Sequence, residues 1–120
     1  MRIDEPYYMI VDLEATCSED DSMSKSDMEI IEIGAVLQNS QTLEVEYEFQ
    51  SFAKPVKNPI LTPFCRELTT ITQEDVDSAD DFPTVYLRFI EWINQVPNYR
   101  FCSWGKYDFN QFNTTCSQYN

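Results

Sequence analysis

The sequence predicts one α/β domain spanning residues 1–120. Three short segments rich in aromatic and β-branched residues lie within the first 52 positions, prolines at 55, 59 and 63 then break the chain, and helical periodicity follows. A chain of this length has room for one modest core. Its 42% hydrophobic and 14% aromatic content excludes a wholly disordered acidic segment.

Residues 7–14 (Tyr-Tyr-Met-Ile-Val-Asp-Leu-Glu) follow Pro6 and read as the first strand. Residues 17–28 are polar and predict an exposed loop. A second strand covers 30–37, a turn lies at Asn39-Ser40-Gln41, and a third strand covers 43–52. In that third strand Val45, Tyr47 and Phe49 alternate with Glu44, Glu46 and Glu48, which predicts one wet face. The short links make these three strands an antiparallel meander. Thr62 followed by Pro63 reads as an N-cap and first helical residue, opening a short helix through Leu68. Thr72-Gln73-Glu74-Asp75 resembles a capping box and opens another. Pro83 opens a longer helix with Phe82, Val85, Phe89, Ile93 and Val96 on a core-facing stripe. Pro97-Asn98 ends it, residues 99–104 predict a fourth strand, and 107–119 a last helix.

Eight Lys and Arg against 21 Asp and Glu give a formal charge of −13, with no histidine. The charge argues against loose electrostatic attachment to nucleic acid or to anionic membrane. It leaves room for a nuclease whose bound metal ions supply local positive charge. The absence of histidine removes every imidazole base, every Ser-His-Asp triad and every His–zinc site formed within this chain. Cys17, Cys65, Cys102 and Cys116 form no C-x-x-C pair, and no signal-peptide pattern opens the sequence. Together these predict free thiols in a reducing, cytoplasmic setting. No apolar run reaches the roughly 20 residues that a membrane helix needs.

Strand alternation puts Tyr8, Ile10, Asp12 and Glu14 on one face and Met9, Val11 and Leu13 on the other. Acids at i and i+2 have α-carbons roughly 6.5–7 Å apart and can converge on a cation. Mg²⁺ and Mn²⁺ prefer such carboxylate oxygens. Hydration at the end of a strand explains the same pair, and D-x-E by itself favours that reading, because so short a motif often matches by chance. Asp108 comes near the pair if the fourth strand lies beside the first; the other role open to it is capping the last helix. A calcium loop starting at Asp75 fails, because Asp80 stands where Gly is needed and Tyr86 where Glu is needed.

Five segments taken in order resemble the DEDD superfamily of 3′→5′ exonucleases, specifically its histone-mRNA 3′ exonuclease and enhancer-of-RNAi type. They are Val11-Asp12-Leu13-Glu14-Ala15-Thr16-Cys17, then Glu29-Ile30-Ile31-Glu32-Ile33-Gly34-Ala35-Val36, then Phe64-Cys65-Arg66-Glu67-Leu68-Thr69-Thr70-Ile71-Thr72-Gln73, then Phe82-Pro83, and Ser103-Trp104-Gly105-Lys106-Tyr107-Asp108. The resemblance implies a ribonuclease H-like fold: a mixed sheet with strands 1–3 antiparallel, the fourth parallel to the first, and helices packed on the sheet. It implies phosphodiester hydrolysis with two divalent ions, Mg²⁺ or Mn²⁺. Asp12, Glu14 and Asp108 would be the catalytic, metal-holding carboxylates, with Asp12 bridging both ions. Phe64 and Trp104 would stack on the terminal base, and backbone groups of Ala15 and Thr16 would approach its sugar. The partner implied is the 3′ end of a single strand, RNA in preference to DNA.

The sequence also departs from the family. The family's third motif, a histidine base and a last metal-binding aspartate, has no counterpart here. Thr70 stands where the Leu-Thr-Gly-Ile-Thr turn usually carries glycine, and Lys106 where related bacterial sequences often carry an acid. The resemblance therefore implies a domain incomplete at its C-terminal side and inactive by itself, whose fourth strand has an open edge that a second copy or a complementing chain could cover. The alternative is a catalytically degenerate module that binds protein or RNA.

Overall fold

The first strand alternates in space as it does in sequence. In β1 (Tyr7–Ala15), Met9, Val11, Leu13 and Ala15 are buried, Asp12 is exposed, and Ile10 and Glu14 are half-buried. The computed structural model describes residues 4–20, 22–103 and 116. After β1, the loop predicted at 17–28 carries a short 3₁₀ turn at Lys25–Asp27. The strands β2 (Ile30–Asn39) and β3 (Val45–Phe52) follow. Then come the helices α1 (Pro63–Thr69), α2 (Gln73–Asp77) and α3 (Phe82–Ile93), and the strand β4 (Arg100–Cys102).

The sheet order is β3-β2-β1-β4. β1 pairs antiparallel with β2, β2 antiparallel with β3, and β4 parallel to β1. This is the mixed sheet expected of a ribonuclease H-like domain. β4 is shorter than the predicted 99–104: three residues pair with Tyr8, Met9 and Ile10. Residue 104 and the predicted helix at 107–119, apart from Cys116, lie outside the described residues.

The caps behave as their residue types dictate. The Thr62 side chain accepts from the Cys65 N–H, Thr72 and Asp75 close a reciprocal capping box, and Asp81 caps α3 ahead of Phe82-Pro83. Phe82, Val85, Phe89 and Ile93 pack against Val11, Leu13, Ile33 and Leu37. Val96 joins the same cluster from the turn beyond the helix. The expectation for β3 needs correction. Among the described residues its apolar face is half-buried at Phe49, which packs at a tilt against Phe89 and Trp92, while Val45 and Tyr47 are largely exposed, Tyr47 touching the ring of Tyr7. A 12-residue helix is only about 18 Å long, and α3 covers that half of β3 alone.

One irregularity splits the interior. Glu14 pairs with Glu32 but Ala15 pairs with Ile30, so Ile31 is the extra residue of a β-bulge. Ile30 joins the α3 cluster, whereas Ile31 joins a second one with Leu61, Cys65, Ile71 and Val76 from the α1–α2 layer.

Thr70, in the glycine position of the family's turn, caps α1 with φ 64°. A β-branched residue in the left-handed region costs roughly 1–2 kcal/mol. Thr70→Gly is therefore expected to raise the thermal midpoint by a few degrees. An unchanged or lower midpoint in a melting curve would show that Thr70 is not strained.

Candidate active site at the end of the first strand

Three rows of cross-strand partners define the face that carries the sequence-predicted acids. They are Ile10, Val36 and Glu48; Asp12, Gly34 and Gln50; and Glu14, Glu32 and Phe52. Over this face lies an open depression of about 560 Å³ lined by Ile10, Asp12, Gly34, Val36, Glu48 and Gln50. Asp12 and Glu14 thus share a face, as the period of two requires. Asp12 points to solvent, and no cationic side chain pairs with it among the described residues. Asp108 and Trp104 lie outside the described residues, so their approach to this face is not part of the geometry seen here.

Glu32 stands directly opposite Glu14, which with Glu48 brings the carboxylates on this face to four and makes a like-charge pair that is unfavourable when nothing offsets it. Gln50 Nε2 donates to Glu32 Oε2 at 2.8 Å and engages part of that charge. The oxygen donors suit a hard divalent cation in type. Among the described residues, however, no three acid, Cys or His side chains converge closely enough to hold an ion. What the described residues offer toward metal is the first-motif pair.

Beyond Glu14 the chain is locked in place. Thr16 is fully buried: its N–H donates to the Glu29 carbonyl at 2.8 Å, and its hydroxyl accepts from the Glu29 N–H at 2.9 Å. Glu29 is buried as well, and its carboxylate accepts from the backbone N–H groups of Val56 (2.8 Å), Lys57 (2.8 Å) and Asn58 (3.1 Å). This carboxylate, which the sequence reading leaves unassigned, ties the proline-rich loop to the strand end and starts the chain toward α1.

The first turn of α1 then docks on residues 15–17. The Thr62 hydroxyl donates to the Cys17 carbonyl at 2.6 Å, and the Cys65 thiol donates to the Ala15 carbonyl at 3.7 Å. Half-buried Phe64 lies between these two anchors in sequence. The structure therefore gathers Glu14, Ala15, Thr16 and the Phe64 segment at one end of β1, four of the residues singled out from sequence.

Burial pushes the Cys17 thiol from 9.0 up to about 11, and the Cys65 thiol and the Glu14 carboxylate add to the rise. Its thiolate fraction at pH 8 is then about a hundredfold below that of an ordinary thiol, partly offset by the higher nucleophilicity of a more basic thiolate. Alkylation of Cys17 by iodoacetamide at pH 8, followed by mass spectrometry, is expected to run roughly tenfold slower than for a simple thiol. The rate should climb as pH approaches 11. A rate matching free cysteine would contradict the assignment. Because the folded-state value is raised, the associated stability is present below pH 9 and lost as pH rises through about 11.

The site has recognisable relatives. The chain is 41% identical over 111 residues to the protein named 3′-5′ exoribonuclease 1 from Mus musculus, covering 88% of this chain and 32% of that protein. It thus spans about a third of that relative's length. It superposes with a TM-score of 0.90 and 36% identity on a solved nuclease domain of 3′hExo, described as a DEDDh family member bound to rAMP. That match covers 99% of this chain and 62% of the other. A second structure, described as 3′-end specific recognition of histone mRNA stem-loop by 3′-exonuclease, gives 0.89 and 35%, covering 98% of this chain and 43% of that one. A family match that begins inside β1 at residue 9, takes in every later strand and helix, and runs to residue 120 settles the ancestry: the chain belongs to the Exonuclease family, RNase_T.

Proposed function

We propose that this chain is a single-domain portion of a 3′→5′ exonuclease acting on single-stranded 3′ ends, RNA in preference to DNA. The observation that carries this reading is the placement of Asp12 and Glu14 on one face of β1, open at Asp12 among the described residues, beside the docked Phe64 segment and within a family match spanning residues 9–120. Relatives described as bound to rAMP and as recognising the 3′ end of a histone mRNA stem-loop support the ligand class.

In this reading Asp12, Glu14 and Asp108 hold two divalent ions, Mg²⁺ or Mn²⁺, which when bound supply a nucleophilic water and charge neutralisation. Phe64 and Trp104 stack on the terminal base. Residues Ala15 and Thr16 form the wall beside its sugar; the Thr16 N–H and hydroxyl, committed to Glu29, hold that wall rigid. Water adds to the phosphorus of the terminal nucleotide, the bond to the neighbouring O3′ breaks, and that oxygen takes up a proton. No histidine in the chain can accept the proton of the water, and loss of a general base slows such a step by about 10²–10⁴-fold. The same fact favours the second reading, a degenerate module that binds without cutting. A different polypeptide pairing at β4, the last strand on its side of the sheet among the described residues, would supply a histidine and a further aspartate; a second copy of this chain would cover the same edge without bringing a histidine. We place the protein in a reducing, cytoplasmic setting, in keeping with its free thiols.

The test is fluorescence anisotropy with a labelled single-stranded oligoribonucleotide. Binding is expected to require Mn²⁺, to weaken several-fold when the 3′-hydroxyl is replaced by a 3′-phosphate, and to be weaker for the matching DNA. Metal-independent binding indifferent to the 3′ end would overturn the exonuclease reading.

A further inference from the structure

Capping a helix asks one thing of a threonine side chain, that it accept a hydrogen bond from the third residue on. Thr62 does this with the Cys65 N–H at 3.0 Å, and its hydroxyl proton does something more. It goes to the carbonyl of Cys17, 45 residues away, in a 2.6 Å bond that capping does not require. Cys65, one turn along, donates its thiol to the Ala15 carbonyl. The segment Thr62-Pro63-Phe64-Cys65 is therefore fixed to the strand end on both sides of Phe64. The acid Glu14 is the residue immediately before the first of those carbonyls.

From this we infer that Thr62 is a positioning residue whose donated hydrogen bond sets the place of the Phe64 ring relative to the Glu14–Cys17 segment, and so the distance between base stacking and phosphate binding. The inference rests on the exonuclease reading above, with Phe64 as the stacking surface. The thiol bond from Cys65 is long and weak, so the Thr62 hydroxyl is the stronger of the two ties.

Two substitutions separate positioning from capping. Thr62→Asp keeps an excellent cap but has no proton to donate at neutral pH. Thr62→Ser keeps both bonds. The measured quantity is the ratio of affinities for 5′-AMP and ribose 5-phosphate at saturating Mn²⁺. Both ligands carry the phosphate, so the added charge of Thr62→Asp cancels in the ratio. Stacking predicts a ratio on the order of tenfold or more for the unaltered chain, reduced at least threefold in Phe64→Ala. Thr62→Asp is expected to fall to the Phe64→Ala ratio with its melting midpoint and Mn²⁺ affinity preserved, and Thr62→Ser to stay at the original value. If Thr62→Asp does not fold, Thr62→Gly, which also tolerates the cap position, takes its place. A full ratio in Thr62→Asp or Thr62→Gly beside a lost one in Phe64→Ala overturns the role of Thr62 and leaves the exonuclease reading standing. A ratio near one in the unaltered chain, or unmoved by Phe64→Ala, removes the stacking surface and the inference with it. Mn²⁺ binding that depends on Asp12 tests the metal side separately.

Discussion

Glu29→Ala is expected to destabilise the fold by roughly 3–5 kcal/mol, a large share of the 5–15 kcal/mol typical of a domain. The carboxylate is 2% exposed and is the acceptor for three successive backbone N–H groups, at Val56, Lys57 and Asn58. An alanine leaves all three donors without that partner and opens a space beside them. Each orphaned donor costs about 1–3 kcal/mol, reduced to the extent that the loop relaxes toward water. Glu29→Gln preserves the shape and one acceptor oxygen, and about half the loss is expected. Urea titration followed by circular dichroism measures both, with the midpoint falling and the slope unchanged. A loss below 1 kcal/mol for Glu29→Ala would mean that the 56–58 loop finds other acceptors.

Asp12→Ala is expected to have the opposite profile. Asp12 is exposed and lies on a face that also carries Glu14 and Glu32, so removing it relieves repulsion and should leave stability within about 0.5 kcal/mol of the original. Its effect falls on metal. One negative charge about 4 Å from a divalent ion in water-like surroundings is worth on the order of 2 kcal/mol, which predicts roughly a 30-fold weaker Mn²⁺ affinity. Calorimetric titration of both forms checks this, with an Asp20→Ala control for non-specific attraction to the acidic surface. Equal Mn²⁺ affinity in Asp12→Ala and the unaltered chain would remove Asp12 from the metal site.

These two residues also mark how far the sequence could be read. The placement of Asp12 and Glu14 follows from a period of two, and no tertiary contact overrides it. Thr62 and Thr72 announce their caps because capping is local chemistry; the cap at Asp81, which the sequence reading passes over, obeys the same chemistry. The fold class and the shared face of the first motif were therefore legible. Glu29 was not, because its partners lie 27 to 29 residues downstream, in a loop whose course depends on Glu29 itself. Glu32 escaped for a related reason: its position opposite Glu14 depends on a bulge, and a bulge is set by pairing rather than by local preference. The alternation in β3 was read correctly as a strand and wrongly as a half-covered one, since nothing in residues 43–52 records where the 12-residue α3 ends.

The β-bulge at Ile31 has a consequence for how the molecule opens. Because neighbouring residues 30 and 31 feed different apolar clusters, the α1–α2 layer rests on its own small core, while β1, β2 and α3 share the larger one. Regions held by fewer buried contacts undergo local opening at lower free energy. The α1–α2 layer is thus the separable unit, able to lift while the sheet stays intact. Phe64 belongs to that unit, and Asp12 and Glu14 belong to the sheet. In the proposed reading, the stacking surface would thus sit on the unit that opens at lower free energy, and the metal-holding pair on the unit that opens last.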